Sequence, residues 1–83
     1  MNELERLLPA FTAELSKIYA SNAHSGVIPV GRRAHVLVEV SRVKAKYAQK
    51  LGSLRAAGHM TDEMERQLSR IENDHTKQLP NAA

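Results

Sequence analysis

The apolar residues between Arg33 and Leu79 recur every three or four positions, and this spacing most constrains what the chain can fold into. At about 100° per residue such positions share one narrow face of a helix. The β-branched cluster at Val36–Val38 favours a strand locally, but strands rarely continue for so many residues. We therefore predict a helix over residues 32–57, whose apolar face is formed by Val36, Val40, Val43, Tyr47, Leu51 and Leu54.

A second periodic stretch follows, with Met64, Leu68, Ile71 and His75 separated by four, three and four positions, and with Leu79 on the same side. Nearly all of the intervening residues are charged or carry amides. A narrow apolar stripe of this kind is typical of a helix that pairs with one or two others. We predict a helix over residues 62–79, supported by ion pairs of Asp62 with Arg66 and of Arg70 with Asp74, each contributing a few tenths of a kcal/mol.

The segment between these two helices, residues 57–61, has the composition of a tight helix–helix turn. Gly58 can take the left-handed conformation that ends a helix. Thr61 can cap the next helix with its side chain, and Asp62 and Glu63 suit the first turn because the helix dipole favours negative charge there. So short a connection makes the two helices antiparallel neighbours. The sequence thus predicts a helical hairpin around which the rest of the chain is organised.

The hairpin carries a short motif that runs Leu51-x-x-Leu54-x-x-x-Gly58-x-Met60-Thr61-x-Glu63. Residues 51–71 thereby resemble the helical hairpin of the bacterial short C-terminal domain (SHOCT-like) family. The chain departs from that pattern at Met64, where a second acid is expected, and at Glu65, where an aromatic is expected. The resemblance implies an oligomerisation or docking module and transfers no active site.

A third amphipathic stretch precedes the hairpin, and we predict a helix over residues 3–21 with Leu4, Leu8, Phe11, Leu15 and Ile18 on one face. Pro9 inside a helix costs about 3 kcal/mol, whereas a proline in the first turn costs little. The helix therefore either begins near Leu8 or continues through Pro9 with a bend. We favour the continuous, bent helix, because Leu4 and Leu8 stay in phase with the later residues.

Residues 22–31 interrupt the helical period and are rich in turn-forming residues. Their apolar members either plug one end of the bundle, which we favour, or form an exposed docking loop; these members are Val27, Ile28 and Val30. Residues 80–83 are expected to be a frayed tail. The chain is thus predicted to be a single all-α domain, residues 1–83, built as a small three-helix bundle around a helical hairpin.

The sequence shows no arrangement of residues typical of a metal site or of an enzyme active site. None of the four histidines (His24, His35, His59 and His75) is three or four positions from another, as helical zinc ligands would be. The sequence has no cysteine and no recognised catalytic motif. We expect no metal, no cofactor and no enzymatic activity. His75 lies on an apolar stripe, so it is expected to be a core or interface histidine with a hydrogen-bond partner, with a pH-sensitive contact as the alternative.

Basic residues concentrate in and beside the middle helix, in a chain whose formal net charge is +3. Contacts with an anionic partner can be assigned to Arg32, Arg33, Arg42, Lys46 and Lys50. The alternative is a solvated face that keeps the protein soluble. The aromatic residues all lie in apolar stripes, which leaves none for base stacking. The last helix also begins with acids, which would repel phosphates.

Small size, few aromatics and no disulfide favour self-association or burial against a partner. We expect a non-enzymatic protein-interaction module: a small regulator, an adaptor, or an inhibitor encoded by a phage or plasmid. It is expected to act by occupying a surface of a protein partner. We also expect it to form a homo-oligomer, with a dimer favoured. The alternative is a nucleic-acid-associated protein. No apolar run of about twenty residues and no signal peptide is present, so we expect a cytoplasmic protein without membrane contact. The association seam is predicted to comprise Val36, Val40, Val43, Tyr47, Leu51, Leu54, Met64, Leu68, Ile71 and His75.

Overall fold

The structure is a computed structural model that describes residues 3–80. Within this range the chain forms three α-helices, α1 (Glu3–Asn22), α2 (Arg33–Ala56) and α3 (Asp62–Thr76). A 3₁₀ turn, Val30–Arg32, leads into α2. The predicted all-α three-helix bundle is confirmed, including the helical state of the β-branched Val36–Val38 segment. The expected frayed tail lies, apart from Pro80, outside the described residues.

Helix α1 is the central element of the bundle. It packs against both α2 and α3, whereas α2 and α3 approach each other much less closely. The prediction that the α2–α3 hairpin organises the chain is therefore wrong, although the two helices do follow one another over a short turn. The reason lies in the width of the apolar faces: α1 adds Leu7 and Tyr19 to its regular stripe and can cover two neighbours, while the stripe of α3 is narrow.

The hydrogen bonds between elements give the helix directions. Glu14, in the middle of α1, meets Tyr47 of α2, and Asn22 at the end of α1 meets Arg32 just before α2, so these helices are antiparallel. Ser16 of α1 meets His75 near the end of α3, so α1 and α3 run in the same direction. The bundle therefore has an up-down-up arrangement.

The core is continuous along α1. Phe11 and Leu15 are fully buried, and so is Val36 of α2. The rings of Phe11 and Tyr47 meet edge to face, with their centroids 5.1 Å apart. Such a ring pair adds about 0.5–1.5 kcal/mol beyond the area it buries. The buried apolar set is Leu7, Phe11, Leu15, Tyr19, Ile28, Val36, Val40, Tyr47, Leu51, Leu54 and Leu68.

Helix α1 continues through Pro9, as predicted, and the bend expected there stays a prediction. Pro9 has no backbone N–H and so cannot donate the usual bond to the carbonyl four residues earlier. One turn later the Thr12 hydroxyl donates to the Leu8 carbonyl at 2.9 Å. The favourable burial of α1 on both of its neighbours outweighs the local cost of the proline.

The connection between α1 and α2 folds back in a tight turn. His24 and Val27 exchange two backbone hydrogen bonds of 2.7 and 3.2 Å. The two residues between them have positive φ angles, 55° for Ser25 and 81° for Gly26. The turn separates the apolar residues of the loop: Ile28 is buried in the core, whereas Val27 and Val30 are exposed. Ile28 thus plugs the bundle as we favoured, whereas a docking role for the exposed Val27 and Val30 stays a prediction.

A buried asparagine fixes where this connection rejoins the bundle. The side-chain amide of Asn22 donates to the Ile18 carbonyl at 2.8 Å. Its oxygen accepts from Arg32 Nε at 3.1 Å and from Arg32 Nη2 at 2.6 Å. Because Asn22 is buried, these bonds satisfy polar groups that would otherwise be costly to enclose.

The α2–α3 turn has the predicted glycine but not the predicted cap. Gly58 has a φ of 98°, in the left-handed region that favours glycine. Thr61 occupies the N-cap position, yet its side chain makes no capping hydrogen bond to the backbone of α3. Its buried hydroxyl accepts from Arg55 Nε at 3.1 Å instead and lies 3.4 Å from Glu65 Oε2. The predicted side-chain cap is wrong, because Arg55 reaches across the turn and engages that hydroxyl.

The ion pairs predicted along α3 are also wrong. Asp62 pairs with Arg55 of α2 at 3.0 Å, and Arg66 pairs with Glu63 at 2.8 Å. Asp74 pairs with Lys77 at 3.8 Å. The observed partners are three residues apart along the helix or lie on the neighbouring helix, whereas the sequence suggested partners four residues apart.

Helix α3 ends at Thr76, three residues earlier than predicted. Beyond it Gln78 and Leu79 donate backbone hydrogen bonds to residues three positions back, at 2.9 and 3.0 Å. Pro80 disfavours the α conformation of the residue before it, which accounts for the early end. Leu79 nevertheless packs against the core, as its place on the stripe predicts. Within residues 3–80, none of the helices combines the length and apolarity needed to cross a bilayer.

Candidate protein-binding groove

A groove runs along the bundle between α2 and α3, because both helices pack against α1 and leave a gap between themselves. We call it the α2–α3 groove. Its volume is about 190 Å³. It is lined by the apolar residues Phe11, Tyr47, Leu51 and Leu68, and by Lys44 and Ala48 of α2 and Glu65, Ser69 and Glu72 of α3. The fully buried Phe11 of α1 lies beneath it, so the groove opens onto the core.

Ion pairs bridge the groove at both ends. Lys44 Nζ lies 3.1 Å from Glu72 Oε2 at one end. At the other end Arg55 pairs with Asp62 at 3.0 Å and also with Glu65. These pairs are exposed enough that each adds only a fraction of a kcal/mol to stability. They give the groove a polar rim.

Two small side chains leave the middle of the groove open. Ala48 on α2 and Ser69 on α3 are both exposed and line its walls. Neither side chain extends beyond its β-substituent, so neither can cover the apolar residues beneath. Sequence reasoning missed both positions, because they belong neither to the apolar stripes nor to the charged faces. The sequence signal that could have indicated the groove is a small residue at the edge of each apolar stripe. This signal is weak unless the packing of the helices is already known.

A polar cluster beside the groove fixes the position of Tyr47. The Tyr47 hydroxyl donates to Glu14 Oε2, and Lys46 Nζ donates to Glu14 Oε1 at 2.5 Å. The ammonium groups of Lys46 and Lys50 lie 5.6 and 5.2 Å from the centre of the Tyr47 ring, within the range of cation–π attraction. Tyr47 is thereby anchored to α1 at its hydroxyl while its ring lines the groove.

The same cluster shifts two pKa values in opposite directions. The hydrogen bonds from Lys46 and Tyr47 lower the pKa of the Glu14 carboxyl. Burial raises the pKa of the Tyr47 phenol, and its hydrogen bond to the Glu14 carboxylate raises it further. The phenol therefore stays protonated and the carboxylate stays charged over the neutral range, which preserves this contact between α1 and α2.

The predicted association seam faces the inside of the bundle. Six of its members are buried in the core: Val36, Val40, Tyr47, Leu51, Leu54 and Leu68. The other four are partly buried: Val43, Met64, Ile71 and His75. In this chain the seam covers α1. Its role in self-association stays a prediction.

The predicted basic line on α2 is not a free row of charges. Lys46 is paired with Glu14, and Lys50 lies over the Tyr47 ring. Arg42 is exposed and forms no ion pair with a described carboxylate. The structure therefore leaves Arg42 and Lys50 as the cations of this line that are available to an anionic partner.

The two arginines before this line are held differently. Both the Nε and one terminal nitrogen of Arg32 bind the neutral Asn22 side chain, so the positive charge of Arg32 is not neutralised by that contact. Arg33 is partly buried, and its Nε is enclosed without a hydrogen-bond partner among the described residues.

His75 has the hydrogen-bond partners that its place on the stripe suggested. Its Nδ1 lies 2.9 Å from the Ile71 carbonyl oxygen, so Nδ1 is the protonated nitrogen. Its Nε2 lies 3.4 Å from Ser16 Oγ, and its ring centre is 5.2 Å from that of Tyr19. The part of the chain that the structure describes contains no group of three or more histidine or acidic side chains arranged to hold a metal ion.

Comparisons with known proteins give no match. No protein-family model matches the chain, no curated protein is significantly similar to it, and no solved structure shows significant similarity to its fold. Geometry and charge are therefore the basis for a functional proposal.

Proposed function

We propose that this protein is a non-enzymatic protein-interaction module, a small regulator, adaptor or inhibitor that acts in the cytoplasm by occupying a surface of its partner. The observation that supports this proposal best is the open α2–α3 groove, in which apolar core residues are accessible between two bridging ion pairs. An apolar side chain of the partner enters the groove and completes the packing over Phe11.

The size of the groove sets what it contributes. Burying one apolar side chain there is worth about 1.5–3 kcal/mol, whereas a micromolar complex needs about 8 kcal/mol. The groove therefore acts as one central anchor, and the polar rim and neighbouring surface supply the remaining contacts. A buried anchor with a polar surround is the usual arrangement of binding energy in protein interfaces.

Self-association is part of the proposal, and Met60 is the side chain best suited to it. Met60 is 88% exposed in the α2–α3 turn. An unbranched thioether adapts readily to an irregular apolar cavity. In a two-fold dimer each copy contributes the same surface, so Met60 of one copy enters the groove of the other and the reverse. Such a dimer uses the seam members that line the groove, Tyr47, Leu51 and Leu68, and leaves the rest of the predicted seam inside each copy.

A matched pair of substitutions on α2 tests the groove. Ala48 lines the groove, whereas Ala45, one turn earlier, is also exposed but does not line it. Ala48→Arg fills the groove, and Ala45→Arg adds the same side chain outside it. We expect a protein that binds the wild type to be retained by Ala45→Arg and lost with Ala48→Arg, measured by quantitative mass spectrometry of captured proteins. Equal retention by both variants would exclude the groove as the site.

The dimer is tested separately by light scattering on a sizing column. We expect the wild type and Ala45→Arg to have the mass of a dimer, and Ala48→Arg and Met60→Gln to have that of a monomer. A monomeric wild type would remove self-association from the proposal and leave binding to another protein to be decided by the capture experiment.

The second candidate is a nucleic-acid-associated protein, favoured by the distribution of charge. Residues 22–61 contain seven lysines and arginines and one acid, Glu39. Since Lys46 is engaged with Glu14, the informative change is Arg42→Glu together with Lys50→Glu. If this candidate is correct, fluorescence polarisation will show binding to DNA or RNA oligonucleotides that weakens steeply with salt and is lost in the double variant. Binding of a protein partner that is unaffected by salt and by the double variant would exclude it.

A further inference from the structure

A second cavity opens between the carboxyl-terminal ends of α1 and α3 and the tight turn that follows α1. Its volume is about 280 Å³. It shares no lining residue with the α2–α3 groove. We call it the end cavity, and it is lined by Tyr19, Ala20, Ala23, Gly26 and Ile28 and by the polar side chains of Ser16, His75 and Gln78.

Two of the polar side chains are placed as a nucleophile and its base. Ser16 Oγ lies 3.4 Å from His75 Nε2. His75 Nδ1 donates to the Ile71 carbonyl at 2.9 Å, which leaves Nε2 as the nitrogen that can accept the hydroxyl proton. A serine is activated in this way where a third group orients the base, and the hydrogen bond between the pair is often longer before substrate binds.

The surroundings hold the base in place and leave the hydroxyl accessible. His75 is partly buried, and its ring centre lies 5.2 Å from that of Tyr19. The Tyr19 hydroxyl is itself hydrogen-bonded to Thr76. Ser16, by contrast, is exposed on α1. A small molecule in the end cavity therefore reaches the hydroxyl without any change in the packing of the two helices.

We infer that Ser16 accepts an acyl group from a small activated ester, with His75 as the base. A bond forms between Ser16 Oγ and the carbonyl carbon, and the bond from that carbon to the leaving oxygen breaks. The hydroxyl proton passes to His75 Nε2 and from there to the leaving oxygen. The products are an acylated serine and a free alcohol, and nothing is oxidised or reduced.

The walls of the end cavity indicate which esters fit. Ala20, Ala23 and Ile28 form an apolar wall beside the hydroxyl. The volume lies just below the range of about 300–1,000 Å³ of pockets for drug-sized ligands, so a short apolar acyl chain is expected. Gln78 carries a side-chain amide and lines the same cavity. It is the candidate donor to the carbonyl oxygen as negative charge develops there.

This inference goes beyond the proposed function and does not rest on it. It assigns a covalent modification site on a different part of the bundle, and the reaction consumes one ester for each protein molecule. The proposed binding of a partner in the α2–α3 groove uses none of these residues.

The test follows acetylation of the full-length protein by p-nitrophenyl acetate, with each site resolved by peptide mass spectrometry. Ser41 and Ser53 are exposed serines of α2 outside the end cavity, so they report the reactivity of ordinary helical hydroxyls. A general base contributes about 10²–10⁴-fold in an enzyme. Because the contact with His75 is long, we expect Ser16 to react at least about tenfold faster than Ser41 and Ser53, short of that range.

Three variants locate the cause of the reactivity. His75→Gln removes the base, because an amide cannot accept the proton, and should lower the rate at Ser16 to that of Ser41. Ala20→Phe fills the end cavity and should also slow the reaction. Ala13 is exposed on α1 but does not line the cavity, so Ala13→Phe is the matched control and should leave the rate unchanged. Circular dichroism checks that each variant keeps its helices, and the two alanine variants decide the question if His75→Gln unfolds.

Several outcomes would overturn the inference. Acetylation could be confined to lysines and the N-terminal amine, or Ser16 could react no faster than Ser41. A folded His75→Gln variant could react at the wild-type rate, or Ala20→Phe could react as fast as Ala13→Phe. None of these results affects the Ala48→Arg capture experiment, so failure here is distinguishable from failure of the proposed function.

Discussion

The Tyr47 hydroxyl donates a hydrogen bond to the Glu14 carboxylate across the boundary between α2 and α1. The Tyr47 ring packs edge to face against Phe11, which lies three residues before Glu14 along α1. One side chain of α2 thus makes a polar and an apolar contact with the same stretch of the central helix. These contacts fix the helix register on which the α2–α3 groove depends.

Removing the Tyr47 hydroxyl should lower the free energy of unfolding. Tyr47→Phe loses the hydrogen bond to a charged acceptor but keeps the ring, so we expect a loss of about 1–2 kcal/mol in urea unfolding followed by circular dichroism. A double-mutant cycle with Glu14→Gln isolates the pair, and a coupling of about 1 kcal/mol is expected. Strictly additive losses would show that the two side chains do not interact in solution.

Stability should fall in acid partly through Glu14. Its pKa is lowered in the folded state by the hydrogen bonds from Lys46 and Tyr47. A depressed folded pKa stabilises the native state above the ordinary carboxyl pKa, and this contribution is lost as the pH falls through the folded value. Urea midpoints measured between neutral pH and acid should therefore decline less steeply in Glu14→Gln than in the wild type.

The exposed Glu63 provides the control for that experiment. Its pKa is also lowered, first of all by the hydrogen bond from Arg66, but this pair lies in water, where such interactions contribute little. We expect Glu63→Gln to follow the wild-type decline. If Glu14→Gln and Glu63→Gln behave alike, the contact with Tyr47 and Lys46 gives Glu14 no special role.

Both tyrosine phenols should ionise at a higher pH than usual in the folded protein. Burial raises the pKa of Tyr19 and of Tyr47, the only two in the chain. Phenolate absorbance should therefore appear at higher pH in the folded protein than in urea, where the pKa is about 10. A raised folded pKa stabilises the native state below the unfolded value, and that stability is lost as the pH rises through the folded values. Coincident titration curves in buffer and in urea would contradict the burial of these rings.

Truncating Phe11 should nearly unfold the protein. Phe11→Ala removes a fully buried ring that packs against Tyr47 and lies beneath the groove, at a cost of about 3–5 kcal/mol, which is a large part of the 5–15 kcal/mol typical of a domain. Phe11→Leu should cost less and keep the chain folded, so that the loss can be measured by thermal unfolding. Val38→Ala, at an exposed site, is the control and should change stability by less than about 0.5 kcal/mol.

The helices could be predicted from the sequence because their apolar periods are local. The steps of three and four residues from Val36 to Leu54 are set by each helix alone, and so is the left-handed glycine at residue 58. The polar contacts could not be predicted in the same way. Glu14 meets Lys46 and Tyr47 only after α1 and α2 have packed in one register, and Arg55 takes Thr61 away from its expected capping role only once the turn has closed.

The groove lay beyond sequence reasoning for a related reason. Its walls depend on which helix lies between the other two, and adjacency in the chain suggested that α2 and α3 would cover each other. The wider apolar face of α1 reverses that expectation. Ala48 and Ser69, unremarkable in the sequence, thereby become the positions that leave the core accessible.

The central place of α1 has a consequence for the order of events during synthesis. Helices α1 and α2 can meet as soon as both have left the ribosome, since the contact between Glu14 and Tyr47 needs neither the turn nor α3. The groove, by contrast, has no second wall until α3 returns to lie alongside α1 and Ser16 meets His75. A nascent chain thus acquires its proposed binding surface only with its third helix, so a partner that binds the groove would distinguish chains with a folded α3 from chains that still lack it.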